Sequence, residues 1–290
     1  MTDRLYPTSL RELDSWREQH RTSSKEAQQR FVQFVILDSI AASARGREVA
    51  FKGGNALRFV HSNPRGTRDL DFSAEATFPD DKDKIRKWLD DALKRGGRRA
   101  GIKARCQAIK RNPPKGNATH PTYKINVGYQ FETDRHSIDF ETWDGNFSQV
   151  VPVEISINDV ICETRDEQLA PDAGVTIRAC VLEDIIAEKL RALLQQPIRG
   201  RNRKQDAYDI ARFVRCDGAR INTAKVANYL VCKAQARGIK PRKSSFDEHV
   251  REQASHEYGH LFQEHDPDFI RFDDAWETIL AFVGQLNIPE

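Results

Sequence analysis

The apolar residues of this chain change their spacing once, and that change constrains the fold more than any other feature. Residues 101–110, 122–131 and 150–159 alternate apolar with polar positions or run apolar, as strands do. From Leu182 onward the apolar positions recur every three or four residues, which predicts helices over 182–196, 204–215, 222–235, 245–262 and 273–286. Strands gathered in one part of a chain and helices in another predict an α+β fold. Upstream, residues 24–44 carry Phe31, Phe34, Val35 and Ile40 at helical spacing behind Ser23 or Ser24 as N-cap, and read as an amphipathic helix. Residues 80–96 predict a surface helix burying Ile85, Trp88, Leu89 and Leu93. The expected organisation is an N-terminal helical cap over 1–45, a mixed sheet flanked by helices over 46–178, and a helical C-terminal domain over 179–290.

Composition narrows the classes. At 290 residues, 39% hydrophobic and 31% charged, the chain reads as a soluble globular protein. No stretch approaches the roughly 18 apolar residues of a bilayer span. The first sixteen residues lack the apolar core of a signal peptide, so a cytoplasmic location and no membrane partner are expected. The five cysteines, Cys106, Cys162, Cys180, Cys216 and Cys232, are scattered and never spaced as a zinc knuckle. Formal net charge is only +3, but residues 94–99 and 199–204 are dense in Lys and Arg, with Lys103, Arg105, Lys110 and Arg111 close to the first run. Such runs suit phosphates, and they equally suit a solvated surface.

Three features carry chemistry. Val49 and Phe51 predict a short strand, Gly53-Gly54 a turn, and Asn55 onward a helix. Paired glycines let backbone N–H groups approach an anion, and a helix N-terminus behind them adds favourable dipole. A polar loop containing Pro64 and Gly66 then leads into Arg68-Asp69-Leu70-Asp71-Phe72. On a strand, residues i and i+2 share a face, so Asp69 and Asp71 project one way and Leu70 and Phe72 turn to the core. Two ionised carboxylates about 4 Å apart repel by about 4 kcal/mol at an effective dielectric of 20. A divalent cation removes that penalty, and hard oxygen donors suit magnesium; a solvated strand edge would screen it instead. The third feature is Glu154, an acid inside the apolar run 150–157, which needs a metal or a salt-bridge partner.

Taken together, Lys52-Gly53-Gly54-Asn55-Ala56-Leu57-Arg58 followed by Arg68-Asp69-Leu70-Asp71-Phe72 resembles the signature of polymerase-β-like nucleotidyltransferases, and in this version the AbiEii/AbiGii-type, MenT-like toxins. Two further blocks follow in the same order. Residues 181–193 resemble that family's lysine-bearing helix, which points to Lys189, and residues 203–210 resemble its acidic helix, with Asp206 as functional acid and Asp209 in support. The resemblance covers about residues 48–212. It departs at Asn55, where the superfamily usually has Ser or Thr, and an Asn there can cap the helix and contact a phosphate. Glu154 stands for a third carboxylate that is commonly Asp, with Asp139 and Glu141 as competitors.

The resemblance implies transfer of a nucleoside monophosphate from an NTP with release of pyrophosphate. Asp69, Asp71 and Glu154 would hold Mg²⁺ or Mn²⁺. Lys52, Gly53, Gly54, Asn55, Arg68, Lys189 and Asp209 would bind the nucleotide, with Lys189 as a positive clamp on the triphosphate. It further implies an RNA acceptor, by kinship the 3′ end of tRNA, a cognate antitoxin, and a role in a toxin–antitoxin or phage-defence system. The rival readings are a same-fold enzyme that makes a nucleotide signal or modifies a protein, and a non-catalytic RNA- or protein-binding module. On the bland reading Lys189 lies on a solvated helix face, and Asp206 and Asp209 pair with Arg203 and Arg212. Finally, His256-Glu257-Tyr258-Gly259-His260 matches a zinc-protease pattern. Its polar flanks and the spacing of His265 and Glu277 make it a chance match on a surface helix.

Overall fold

A computed structural model describes residues 4–114, 119–132, 146–170, 176–200, 202–261 and 268–290. The chain divides into two compact units: Met1–Asp159 with Thr164–Cys180, and Val160–Glu163 with Val181–Glu290. The helices of the first 45 residues therefore fall inside the first unit.

In the first unit the described strands are β1 (Val49–Lys52), β2 (Leu70–Ala74), β3 (Ile102–Asn112), β4 (Thr122–Phe131), β5 (Gln149–Ile157), β6 (Thr164–Gln168) and β7 (Thr176–Cys180). They form one mixed sheet in the order β3-β4-β5-β2-β1-β7-β6. β2 runs parallel to β5, and β1 parallel to β7; the remaining neighbours are antiparallel. Among the helices, α1 spans Leu13–Gln19, α2 Ser24–Ala41, α3 Gly53–Phe59 and α4 Lys82–Ala100. Strands β6 and β7 were absent from the sequence reading. β6, Thr-Arg-Asp-Glu-Gln, is mostly polar and exposed at the sheet edge, so it carries no apolar signal.

The cap of α2 matches expectation: the Ser23 side chain accepts from the Glu26 N–H at 3.1 Å. Its burial does not. Residues Arg30–Leu37 are buried without interruption, because α2 packs against α1, α4 and the sheet. A helix buried all round has no amphipathic stripe. By contrast α4 is amphipathic as read, burying Ile85, Trp88, Leu89 and Leu93 behind an Asp81 N-cap. The face of the sheet bearing Phe51, Leu70, Phe72, Val153 and Ile155 is fully buried.

The second unit is helical among its described residues: α5 (Leu182–Arg199), α6 (Lys204–Asp217), α7 (Thr223–Gln235), α8 (Glu248–Ser255) and α9 (Phe272–Gln285). The short segment 160–163 belongs here because it is clamped from the side of α5 and α7. Asp184 accepts from the Cys162 N–H at 2.7 Å, and Lys233, paired with Asp184 at 2.8 Å, donates to the Val160 carbonyl at 2.6 Å. The helix expected over 245–262 is broken. α8 stops at Ser255, His256 is its extended C-cap, and Glu257 has φ +57 before a 3-10 turn over Tyr258–Leu261. The two histidines of the zinc-like pattern therefore do not sit one helical turn apart, and Glu257 is held by Lys204 at 2.8 Å. His265 lies outside the described residues. No described helix is long and apolar enough to cross a membrane.

Candidate active site

The local geometry of the first unit starts at Gly53. This residue is at φ +74, a region closed to most side chains, and it opens α3 where β1 ends. A Cβ added at Gly53 would overlap the Asp71 carboxylate and lie 2.9 Å from Asp71 Cβ. One added at Gly54 would lie 2.5 Å from Thr67 Cγ2. The diglycine is thus packed directly against Asp71, and any side chain at Gly53 would displace that acid. Both glycines are inside the helix rather than in a turn before it, and the N-cap is Lys52.

Asp71 sits mid-strand and half-buried between Leu70 and Phe72, which are 0% and 1% exposed. Asp69 precedes the strand. In the sheet register Asp71 faces Lys52 across β1 and Glu154 across β5. Asp71 and Glu154 are therefore nearest neighbours on parallel strands, pointing to the same face. Glu154 also pairs with Lys124 at 3.0 Å, so the bland reading of that acid holds as far as a salt bridge goes. Lys52 is ion-paired with Asp159, whose Oδ2 also accepts from the Ser73 hydroxyl at 3.3 Å. Asp159 was not singled out in the sequence; it lies just past β5, where the fold brings it to Lys52 and Ser73. Asp139 and Glu141 lie outside the described residues.

Asn55 departs from the expectation. It is fully buried and donates to the carbonyls of Asp69 at 2.6 Å and Thr67 at 3.2 Å. Its side chain neither caps the helix nor reaches solvent where a phosphate would lie; it holds the backbone that presents Asp69. Two residues of α2 complete this clamp. Arg30 donates to Thr67 O at 2.9 Å, and Gln33 donates to Thr67 O and Arg68 O at 3.1 Å each. Gly66 leaves the room that the Arg30 guanidinium fills. Burial pulls the Arg30 pKa down, and Glu26 partly offsets this. Arg30 and Gln33 were missed, although Gln33, a polar residue interrupting the apolar run 31–37, is a legible signal. Arg68 itself is exposed.

The second unit holds the other residues of interest. Lys189 is 7% exposed, and its ammonium lies 2.6 Å from Asp206 Oδ1 and 2.9 Å from Asp209 Oδ2. It is not on a solvated face. Arg203 approaches Asp206 only to 3.8 Å, and Arg212 pairs with Asp268. Spacing explains the trio: Asp206 and Asp209, three apart on α6, share the face turned to α5. The ammonium is thus held between two carboxylates, with the Arg203 guanidinium also near Asp206.

Among the described residues no cluster of three His, Cys, Asp or Glu side chains is arranged to hold a metal ion. Asp71 and Glu154 nevertheless fit magnesium chemically, because this ion takes one or two carboxylates and completes its shell with water and substrate phosphate.

Comparison with known proteins points to one family and one fold. A family model described as "Nucleotidyl transferase AbiEii toxin, Type IV TA system" matches residues 35–281. Among solved structures, JHP933 from Helicobacter pylori is similar at a TM-score of 0.52 and 15% identity, covering 90% of this chain and 91% of that one. MenT4, a nucleotidyltransferase toxin of Mycobacterium tuberculosis H37Rv, is similar at a TM-score of 0.53 and 18% identity, covering 91% and 85%. At such identities the likeness is one of fold. No curated protein sequence matches the chain.

Proposed function

The chain belongs to the AbiEii family of nucleotidyltransferase toxins, and from that premise we propose that it transfers a nucleoside monophosphate from an NTP to an RNA acceptor, the 3′ end of a tRNA. The observation that carries this reading is the packing of Gly53 against Asp71, with Glu154 as the next carboxylate across the sheet. A diglycine helix start touching an acid puts backbone N–H donors beside carboxylates, which is what a metal-bound triphosphate requires.

In this reading Asp69, Asp71 and Glu154 hold Mg²⁺, or Mn²⁺ in its place. The ion would neutralise the triphosphate and lower the pKa of the attacking hydroxyl. Gly53, Gly54 and Asn55 contribute main-chain N–H groups to the phosphates. Lys52 and Arg68 supply positive charge beside them. Glu154 must exchange Lys124 for the metal or the attacking hydroxyl; its 33% side-chain exposure permits the exchange. Asp206 is the more open acid of the second trio at 12% side-chain exposure, against 0% for Asp209. We assign Asp206 contact with the nucleotide, and Lys189 and Asp209 the task of positioning it. The family's type IV toxin–antitoxin membership motivates a cognate antitoxin as partner and growth arrest as outcome. A cytoplasmic setting follows from that role.

The test is incubation with each α-labelled NTP, Mg²⁺ and total RNA. Label should enter small RNA with the wild type, be abolished by Asp71→Ala and by chelation, and return on adding Mg²⁺ or Mn²⁺. Equal labelling by wild type and variant would sink the site. Label in protein or in a free oligonucleotide would select the rival acceptors.

A further inference from the structure

The acid pair belongs to a row of charged residues that crosses the sheet. Following the register from β1 to β3, the row reads Lys52, Asp71, Glu154, Lys124, Lys110. Beyond Glu154 the charge is all positive. β3 and β4 contain no Asp or Glu, and Lys103, Arg105, Lys110 and Lys124 all lie on them.

Simple alternation would not bring these cations together. Lys103 and Arg105 are at odd positions and Lys110 is at an even one, so a regular strand would send them to opposite faces. A β-bulge between Cys106 and Ala108 shifts the pairing. Before it, Lys103 faces Gln130 and Arg105 faces Gly128; after it, Lys110 faces Lys124. Positions 130, 128 and 124 share one face of β4, so all three β3 cations share it too. It is the face of Asp71 and Glu154. The bulge also sends Arg111 to the other side, where Asp80 takes it at 3.0 Å.

Lys110 and Lys124, both exposed, stand directly opposite each other. Like charges in that position destabilise a sheet; Glu154 offsets the cost at Lys124, and a polyanion laid across the pair would offset it at Lys110. At roughly 4.8 Å per strand, Lys124 and Lys110 stand roughly 10 and 14 Å from Asp71.

Resting on the transferase reading above, we infer that this bulge-aligned face of β3 and β4 is the track that binds the phosphodiester backbone of the RNA acceptor and leads its end to Asp71. An acidic protein is the alternative occupant, and an acid-free cationic face beside a phosphoryl-transfer site favours RNA.

The experiment measures binding of a labelled bulk tRNA preparation to the full chain without NTP, over a range of salt. Wild type should bind, with log affinity falling linearly against log salt. Lys110→Glu should weaken binding about tenfold, and it and Lys110→Gln should flatten the slope by about 0.7, one single-strand phosphate contact. Lys110→Arg and the exposed second-unit variant Lys240→Glu should match wild type, and KM for NTP should stay unchanged throughout. No binding by wild type, or equal affinity and slope for Lys110→Glu and Lys240→Glu, overturns the inference. So does labelling of a protein acceptor that is lost in Lys110→Glu and that RNA does not compete away. Slope loss in the variants without any nucleotide transfer to RNA leaves the track standing and removes the RNA-transferase reading instead.

Discussion

The two units carry their candidate acids in opposite ways. In the first, Asp71 and Glu154 are half-buried neighbours on parallel strands, set on a sheet face that solvent can reach. In the second, Asp206 and Asp209 project from one helix onto a buried lysine that lies within hydrogen-bond distance of both. A strand register holds charge open to an incoming ligand. A helix pair holds charge closed, already compensated from within the protein. The same residue type is therefore expected to answer substitution by losing chemistry alone in the first unit and stability as well in the second.

The sharpest way to break this contrast is at Asp71. Asp71→Asn should lower nucleotide transfer by roughly 10³-fold or more, since it removes charge preorganised at the reacting phosphate. Its melting midpoint should stay near that of wild type, because Asn keeps the shape of the side chain and removes one of two adjacent like charges on β2 and β5. A large stability loss would show that Asp71 is structural. Lys189→Met should cost stability as well as activity, about 3–5 kcal/mol in denaturant unfolding, because it takes the shared lysine away from two buried carboxylates. Adding Asp206→Asn and Asp209→Asn to it should recover part of that loss. If Lys189→Met is as stable as wild type, the trio is not the compensated unit described here.

A smaller effect is expected at the diglycine. Gly53→Ala adds about 1–2 kcal/mol of backbone strain at positive φ and pushes on Asp71. Because a displacement of about 1 Å costs roughly 10²-fold in rate, kcat should fall far more than stability. An Ala variant with unchanged kcat would separate the turn from the acid. Smallest at neutral pH is the contribution of the buried tyrosines. Burial raises Tyr6 and Tyr129 from the usual 10.0 to about 12. The unfolded chain then ionises first, so the stability they give is full below pH 10 and is lost as pH rises toward 12. Tyr6→Phe should flatten the alkaline fall in melting midpoint; an unchanged profile would remove Tyr6 from the account.

Much of the fold was legible because periodicity reports burial. The strands β3, β4 and β5, the α4 face with Ile85, Trp88, Leu89 and Leu93, and the helices α5, α6, α7 and α9 follow from it. Periodicity failed where burial is not one-sided. α2 is enclosed all round, β6 is a polar edge, and the supposed helix over 245–262 breaks at a positive φ that no apolar spacing announces. At the candidate site, the diglycine and the two aspartates stood out in the sequence only through the order of four blocks that resemble one family; spacing alone left each of them open, and Asp69 lies before β2 rather than on it. The clamp of Arg30, Gln33 and Asn55 on the Thr67–Asp69 backbone could not be read in that way, because its partners are carbonyls, which every residue carries.

What the sequence determined by itself was therefore the placement of chemistry along each element: which residues share a strand face, which share a helix turn, and where glycine must stand. Register between elements was decided only in three dimensions. The pairing of Asp71 with Glu154, the commitment of Lys189 to two acids, and the bulge that turns Lys110 to the side of Lys103 all depend on how elements align. The physical reason is that local preference acts over a few residues. A slip of one position between strands leaves every local preference satisfied and sends every side chain to the other face.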